Sequence, residues 1–255
     1  MKVVATIEAR MSSERLPGKS LMKILDKPML ELLIERVKKS KKLNEIVVAT
    51  SSDKENDPIE ILAKKMKVNC FRGSEEDVLD RVLCAAKSVN ADIIVELWGD
   101  SPLMDANIID KMIEFFLNND VDCIGTTLPN FPKTYPIGMS AIIFPTRILE
   151  EVEKKTNNPD DRENVSNYIY EHPEIYKIAP FPCPNELNNP SLRLTVDERK
   201  DFELISKIFQ NLYPRNSNFT AKDVIDFLKA NPKLVEINKN TNQKKLESWK
   251  KFKVQ

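Results

Sequence analysis

Residues 92–97, Asp92-Ile93-Ile94-Val95-Glu96-Leu97, decide the fold. The run is rich in β-branched residues and too short for a buried helix, so it reads as a buried strand. It leads directly into Trp98-Gly99-Asp100-Ser101-Pro102-Leu103, which puts an aspartate at the strand's C-terminal end. Runs of the same kind stand upstream at residues 2–7 (KVVATI), 45–50 (EIVVAT) and 68–71 (VNCF), and downstream at 121–125 (VDCIG). Between them, residues 28–40, 57–66, 77–89 and 107–118 space their apolar residues as helices do; Leu30, Leu33, Ile34 and Val37 are the plainest case. Asp57 followed by Pro58 reads as an N-cap and a first helical residue. Strands alternating with helices predict an α/β fold with a mostly parallel central sheet, covered on both faces. Ligands in such sheets bind where strand C-termini open onto loops.

The second half is less regular. Residues 126–145 are rich in Pro, Thr and Asn, and Pro159, Pro173, Pro180, Pro182, Pro184 and Pro190 punctuate the stretch that follows. This predicts inserted, antiparallel or irregular structure over residues 126–190. Leu192-Arg193-Leu194-Thr195-Val196 then reads as a strand, and residues 201–211 and 221–231 as amphipathic helices. The expected organisation is one domain over residues 1–235 with that insertion, followed by a Lys- and Asn-rich C-terminal extension, residues 236–255.

The chain has 255 residues, with 39 Lys plus Arg against 39 Asp plus Glu. A zero net charge argues against a nucleic-acid or membrane-surface role, because both want a basic excess. Cys70, Cys84, Cys123 and Cys183 form no CxxC pair, and His172 is the sole histidine, so neither a zinc site nor a disulfide framework is expected. The apolar start at residues 1–7 is too short for a signal or a membrane span. These features predict a cytoplasmic protein.

Chemistry concentrates in a few segments. The first strand runs into Ala9-Arg10-Met11-Ser12-Ser13-Glu14-Arg15-Leu16-Pro17-Gly18-Lys19. Hydroxyls, two arginines and a lysine at a strand end suit a phosphate cradle, with arginine binding bidentately and lysine acting as a point charge. The plainer alternative is a solvated charged loop. Asp100 suits Mg²⁺, which binds through one or two carboxylates plus substrate phosphates; the alternative is an aspartate capping the next helix. Asp197, in Val196-Asp197-Glu198-Arg199-Lys200-Asp201, is either a helix cap or a second metal carboxylate, and capping is the commoner role.

Taken together, these segments resemble the ARxxSxRLPGK signature and later motifs of the cytidylyltransferases that activate acidic sugars, the CMP-Kdo and CMP-sialic acid synthetase superfamily. The chain looks most like the spore-coat-polysaccharide (SpsF-like) branch. IVVATS at 46–51, FRGSEEDVLDR at 71–81, GDSPL at 99–103, YPIG at 135–138, ENVSNYIYEHP at 163–173 and LTVD at 194–197 follow in the same order. The resemblance implies a Rossmann-like, GT-A-like nucleotidyltransferase fold with an inserted dimerisation subdomain, hence a homodimer. It implies transfer of a nucleotidyl group, typically CMP from CTP, to a sugar oxygen with release of pyrophosphate and a requirement for Mg²⁺. Arg10, Ser12, Ser13, Arg15 and Lys19 match the triphosphate loop. Asp100 and Asp197 match the two metal aspartates, although VDERKD stands where the family has VDTPED. Ala9 and the backbone before it face the base, with Thr50 and Ser51 at the next strand end. Arg72, Ser74 and Asp80 match a nucleotide-side segment. Arg15, Lys19 and Asp100 carry the chemistry.

Two departures concern the acceptor side, to which Trp98, Tyr135, Met139, Ser140 and His172 are assigned. The branch commonly carries carboxylates after YPxG, in a pattern like GLDVEVF, where this chain has Gly138-Met139-Ser140-Ala141. Trp98 is bulkier than the small residue usual before GD. Alternatives to a CMP transfer therefore stand: another NTP with a sugar phosphate, a glycosyltransferase of related fold using Asp120-Val121-Asp122, or a catalytically silent nucleotide-binding partner.

Overall fold

The computed structural model describes residues 1–241. Most of the C-terminal extension, residues 242–255, lies outside the described residues.

β1 (Val3–Glu8) lies inside the sheet, between β4 and β6. A small antiparallel hairpin of β2 (Lys23–Ile24) and β3 (Lys27–Pro28) leads into α1 (Met29–Val37). β4 (Glu45–Ser51), α2 (Asp57–Lys65), β5 (Asn69–Gly73), α3 (Val78–Ser88), β6 (Ile93–Trp98) and α4 (Ala106–Asn118) follow in strict alternation. β7 (Cys123–Gly125), β8 (Ile142–Pro145) and β9 (Ile178–Pro180) complete a seven-stranded sheet of order β5-β4-β1-β6-β8-β7-β9. Only β8 runs against the others: it pairs antiparallel with β6 and β7, whereas β1–β4, β1–β6, β4–β5 and β7–β9 are parallel. The predicted α/β fold with a mostly parallel sheet is therefore present.

Residues 126–190 do not stand apart from this sheet. They supply β8 and β9, and α5 (Thr146–Lys155), which packs beside α3. The short α6 (Pro159–Glu163) and α7 (Asn167–Glu171) fill the rest of that layer. α8 (Arg199–Leu212), α9 (Ala221–Ala230) and the single turn α10 (Pro232–Val235) close the other face.

Side chains alternate across the sheet, as a period of two requires. Val3, Ala5 and Ile7 of β1 join the core beneath α1, α4, α8 and α9, while Val4 joins the core beneath α3 and α5. The first face is apolar to its top. On the second face the pattern turns polar toward the strand ends: Thr6 and Glu96 are buried there, with Glu8 half-buried.

Two local expectations are corrected. Residues 192–196 alternate like a strand but form no ladder; one parallel bridge joins Arg193 to Ile137. The Val196 N–H instead donates to Asp100 O at 2.8 Å, which ties this segment to the loop after β6. Asp57 begins α2 and does not cap it; the residue before it is Asn56, whose amide is engaged elsewhere.

Gly99 is a tight joint between β1 and β6. Its N–H donates to Glu8 O at 2.8 Å, and a Cβ built there would lie 2.7 Å from that oxygen. The ends of β1 and β6 can approach this closely only because the side chain is absent. Beneath them, buried Arg36 of α1 donates to Met104 O at 3.1 Å, Phe219 O at 2.9 Å and Leu103 O at 3.2 Å. A planar fork serves three diverging carbonyls where a lysine ammonium does not. Arg36→Lys is expected to cost about 2 kcal/mol or more in a urea-unfolding experiment, since carbonyls are left unpaired.

Candidate active site

The site forms where β1, β4 and β6 end. The loop after β1 folds back on itself: Ser13 N–H and Gly18 N–H both donate to Met11 O at 2.9 Å. Gly18 sits at φ 73°, a left-handed conformation that glycine adopts without strain. The Met11 N–H in turn donates to Asn56 Oδ1 at 2.9 Å, and Asn56 Nδ2 donates to Ser51 Oγ at 2.8 Å. Thus Asn56 pins the loop to the end of β4. No sequence signal marked it, because its role lies wholly in where its amide points.

The loop ends with Lys19 inside a cage of oxygens. Its Nζ lies 3.1 Å from Asp100 Oδ2, 3.2 Å from Asp197 Oδ1 and 2.7 Å from Val196 O. Arg15 reaches Asp197 Oδ2 at 3.1 Å and Glu198 Oε1 at 3.7 Å. Asp197 also receives Arg193 at 2.7 Å. Burial alone would raise the Asp197 carboxyl, but Lys19, Arg193 and Arg15 outweigh it and hold the group below its usual range. Asp201 fixes Arg193 at 3.0 Å, and Asn238 Nδ2 donates to both Arg193 O and Asp201 Oδ1. Arg193 and Asp201 were missed from sequence; alternation with Leu192 and Leu194 disguised Arg193 as the polar face of a strand.

Both capping alternatives fall away. α4 is capped by Asp105, which accepts from Asn107 N–H, so Asp100 is not that cap. α8 is capped by Glu198 in a capping box with Asp201, so Asp197 stands one residue outside the helix.

The other half of the loop faces Glu75. Arg10 Nη1 lies 2.9 Å from Glu75 Oε1, and Ser12 donates to the same oxygen. Burial opposes the Glu75 charge, yet Ser12, Ser51 and Arg10 hold its carboxyl below the usual range. Ala9 is buried, with its N–H on Ala49 O at 3.2 Å. Thr50 and Ser51 are buried at the end of β4 as expected.

The other expected residues make contacts of their own. Arg72 is engaged with Asp57, Glu60 and the carbonyls of Ser51, Ser52 and Asp53, so it clamps the β4–α2 connection. Ser74 accepts from Asp77 N–H, and Asp80 lies in the first turn of α3 with its N–H on Asp77. Tyr135 and Met139 are buried; the Tyr135 hydroxyl donates to Pro182 O at 3.1 Å. Ser140 bonds Thr127 at 2.9 Å. Trp98 is half-buried against the α3-side core, and His172 stacks on Tyr168 at 3.9 Å with Nδ1 on Tyr168 O. Asp120 and Asp122 precede β7, at the opposite end of the sheet, paired with Lys177 and Arg147. They lend no support to a glycosyltransferase metal site.

A cytidylyltransferase profile matches residues 4–241. The chain belongs to the cytidylyltransferase family. An uncharacterized protein of Methanocaldococcus jannaschii, MJ1063, is 40% identical over 96% of this chain and 97% of its own length. The spore coat polysaccharide biosynthesis protein SpsF of Bacillus subtilis is 31% identical over 90% of this chain and 95% of its own length. A solved cytidylyltransferase structure from Leptospira borgpetersenii superposes with a TM-score of 0.86 at 36% identity, covering 96% of this chain and all of that one. The fold is thus that of a nucleotidyltransferase, and the loop, Asp100 and Asp197 lie at the strand ends that serve ligands in such sheets.

One feature of this cytidylyltransferase has a thermal signature. Burial pushes Glu8 up to about 7 and Glu96 well above its ordinary value. Unfolding returns both to the ordinary range, so the folded protein holds more protons once pH exceeds about 4.5. Stability is present in acid and is lost as pH rises from there toward about 7. Glu96→Gln is therefore expected to melt about 2–4 °C above the parent at about pH 8. The gap should close as pH falls to about 5, as followed by circular dichroism.

Proposed function

We propose that the protein is a Mg²⁺-dependent enzyme that moves CMP from CTP to a sugar or sugar-acid acceptor and releases pyrophosphate. The convergence of Lys19, Asp100 and Asp197 on one point carries this reading. Two hard carboxylates gathered round a cation, with arginine and lysine beside them, suit a triphosphate and a divalent ion. The donor set therefore fits Mg²⁺: Asp100 and Asp197 would hold it. When bound, the ion neutralises charge on the phosphates and the attacking oxygen.

The chain's own residues do the rest. Ser12, Ser13 and Arg10 orient the triphosphate at the loop. Lys19 and Arg15 stabilise the charge on the departing pyrophosphate, since phosphoryl chemistry gains most from positioning and charge neutralisation. Ala9 and the backbone before it bound the base, with Thr50 and Ser51 beside it. Trp98 and Ser140 line the acceptor side. Tyr135 and Met139, being buried, support that wall from behind. The part SpsF takes in spore coat polysaccharide biosynthesis supports an acceptor destined for a surface glycan. A homodimer acting in the cytoplasm accords with the family resemblance.

The test is pyrophosphate release from each NTP with Mg²⁺ and a panel of sugar and sugar-acid acceptors. CTP should be preferred; silence with every NTP from folded protein sinks the reading. Asp100→Ala should lower turnover by at least about 10²-fold. It should leave the melting temperature within a few degrees, because Asp100 caps no helix.

A further inference from the structure

Asp197 stands one residue outside α8, in a segment that forms no ladder. An aspartate so placed has two side-chain torsions to settle, and its aim comes from what its oxygens touch. The two oxygens have different neighbours. Oδ1 faces Lys19 Nζ at 3.2 Å, and that ammonium lies 3.1 Å from Asp100 Oδ2. Oδ2 accepts from Arg193 Nη2 at 2.7 Å and lies 3.1 Å from Arg15 Nη2.

The two arginines differ in what holds them. Arg15 belongs to the loop from Ala9, and its side chain is 34% exposed. The Arg193 side chain is 6% exposed and is locked from behind. Its Nε donates to Asp201 Oδ1 at 3.0 Å, and its Nη2 reaches Asp201 Oδ2 at 3.2 Å. Asp201 and Asn238 are both buried, and Asn238 Nδ2 donates to Arg193 O at 3.0 Å and to Asp201 Oδ1 at 2.9 Å. A planar fork anchored on one buried carboxylate holds a second carboxylate at a fixed place.

The start of α8 does not require this arginine. Asp201 Oδ2 already accepts from the Asp197 and Glu198 N–H groups, each at 3.0 Å. A buried guanidinium needs a partner, and Asp201 is one. The arm that goes on to Asp197 is extra to the helix and bears on the cation site. Mg²⁺ takes one or two carboxylates in near-ideal octahedral geometry. A carboxylate whose Oδ2 is occupied by an arginine offers Oδ1 alone. In the nucleotidyl-transfer reading Arg15 and Lys19 turn to the phosphates. Arg193 is too deep to follow and keeps Asp197 aimed. Its charge by itself opposes a divalent cation, so aiming and simple electrostatics act with opposite signs.

We propose that Arg193 is a positioning residue: anchored by Asp201 and Asn238, it holds Asp197 Oδ2 so that Oδ1 faces Asp100 and the pair receives one divalent cation. This rests on the nucleotidyl-transfer reading for the identity of the cation site. The probe is CTP, titrated calorimetrically into the full chain with a chelator and again with Mn²⁺. The ratio of the two affinities reads the coupling between metal and nucleotide. Arg193→Gln should lower that ratio by at least about tenfold. It should leave the metal-free CTP affinity within about twofold, since Arg193 faces carboxylates and not the phosphate loop. Asp201→Asn should act in the same direction. Its amide oxygen can still accept the two N–H groups at the helix start, while its NH₂ meets Arg193 Nε as donor to donor and gives no anchor. Melting curves check that both variants fold. A ratio that holds or rises in the variants overturns the proposal, a rise marking Arg193 as a cation that only repels the metal. An equal loss of CTP affinity with and without Mn²⁺ also overturns it, because that is what a merely structural role gives. In either case a parent that binds CTP more tightly with Mn²⁺ leaves the nucleotide reading standing. A parent that binds no CTP refutes that reading, and this inference with it.

Discussion

The structure depends on one ammonium group. Lys19 Nζ holds Asp100, Asp197 and Val196 O together. Two carboxylates at one point repel unless a cation lies between them. The loop from Ala9 must therefore end where it does, and Gly18 supplies the turn that lets it. The C-terminal arm must also arrive, and it does so through the Val196–Asp100 backbone bond and the Arg193–Asp201 pair. Remove the cation and the two carboxylates repel across that joint.

The two faces of the sheet differ in polarity toward the strand ends. Under α1, α4, α8 and α9 the strands present Val3, Ala5, Ile7, Val95 and Leu97 without interruption. Under α3 and α7 the same strands change to Thr6, Glu8 and Glu96 over their final residues. Burying carboxyls there is unfavourable, and the apolar face offsets it. Gly99 lets the two strands close over this polar floor.

Much of this was legible in the residues, for physical reasons. Strands such as 45–50 and 92–97 declare themselves because both faces are buried and their β-branched cores, Ile46-Val47-Val48 and Ile93-Ile94-Val95, suit that. The loop from Ala9 to Lys19, Asp100 and Asp197 were legible as charge at strand ends. Residues 192–196 misled because alternation reports one buried side, not a ladder; their backbone bonds go to Ile137 and Asp100. Tyr135 and Met139 were assigned to the acceptor side from their segment alone, and a segment's match says nothing of which way each side chain turns. Asn56 and Glu75 were illegible because their partners lie far off in the chain, at Met11 and Ser12; Arg193 lies only eight residues from Asp201 and was hidden by the alternation around it.

The cage around Lys19 also sets an order of assembly. Its partners Asp100 and Asp197 are 81 and 178 residues away along the chain. During synthesis the strands β5-β4-β1-β6 are all made long before Asp197 exists, and contacts between near neighbours form sooner than distant ones. A nascent chain can therefore own four strands of the sheet while the cage around Lys19 is still open. The cage itself therefore closes late and all at once, when Asp197 reaches Lys19.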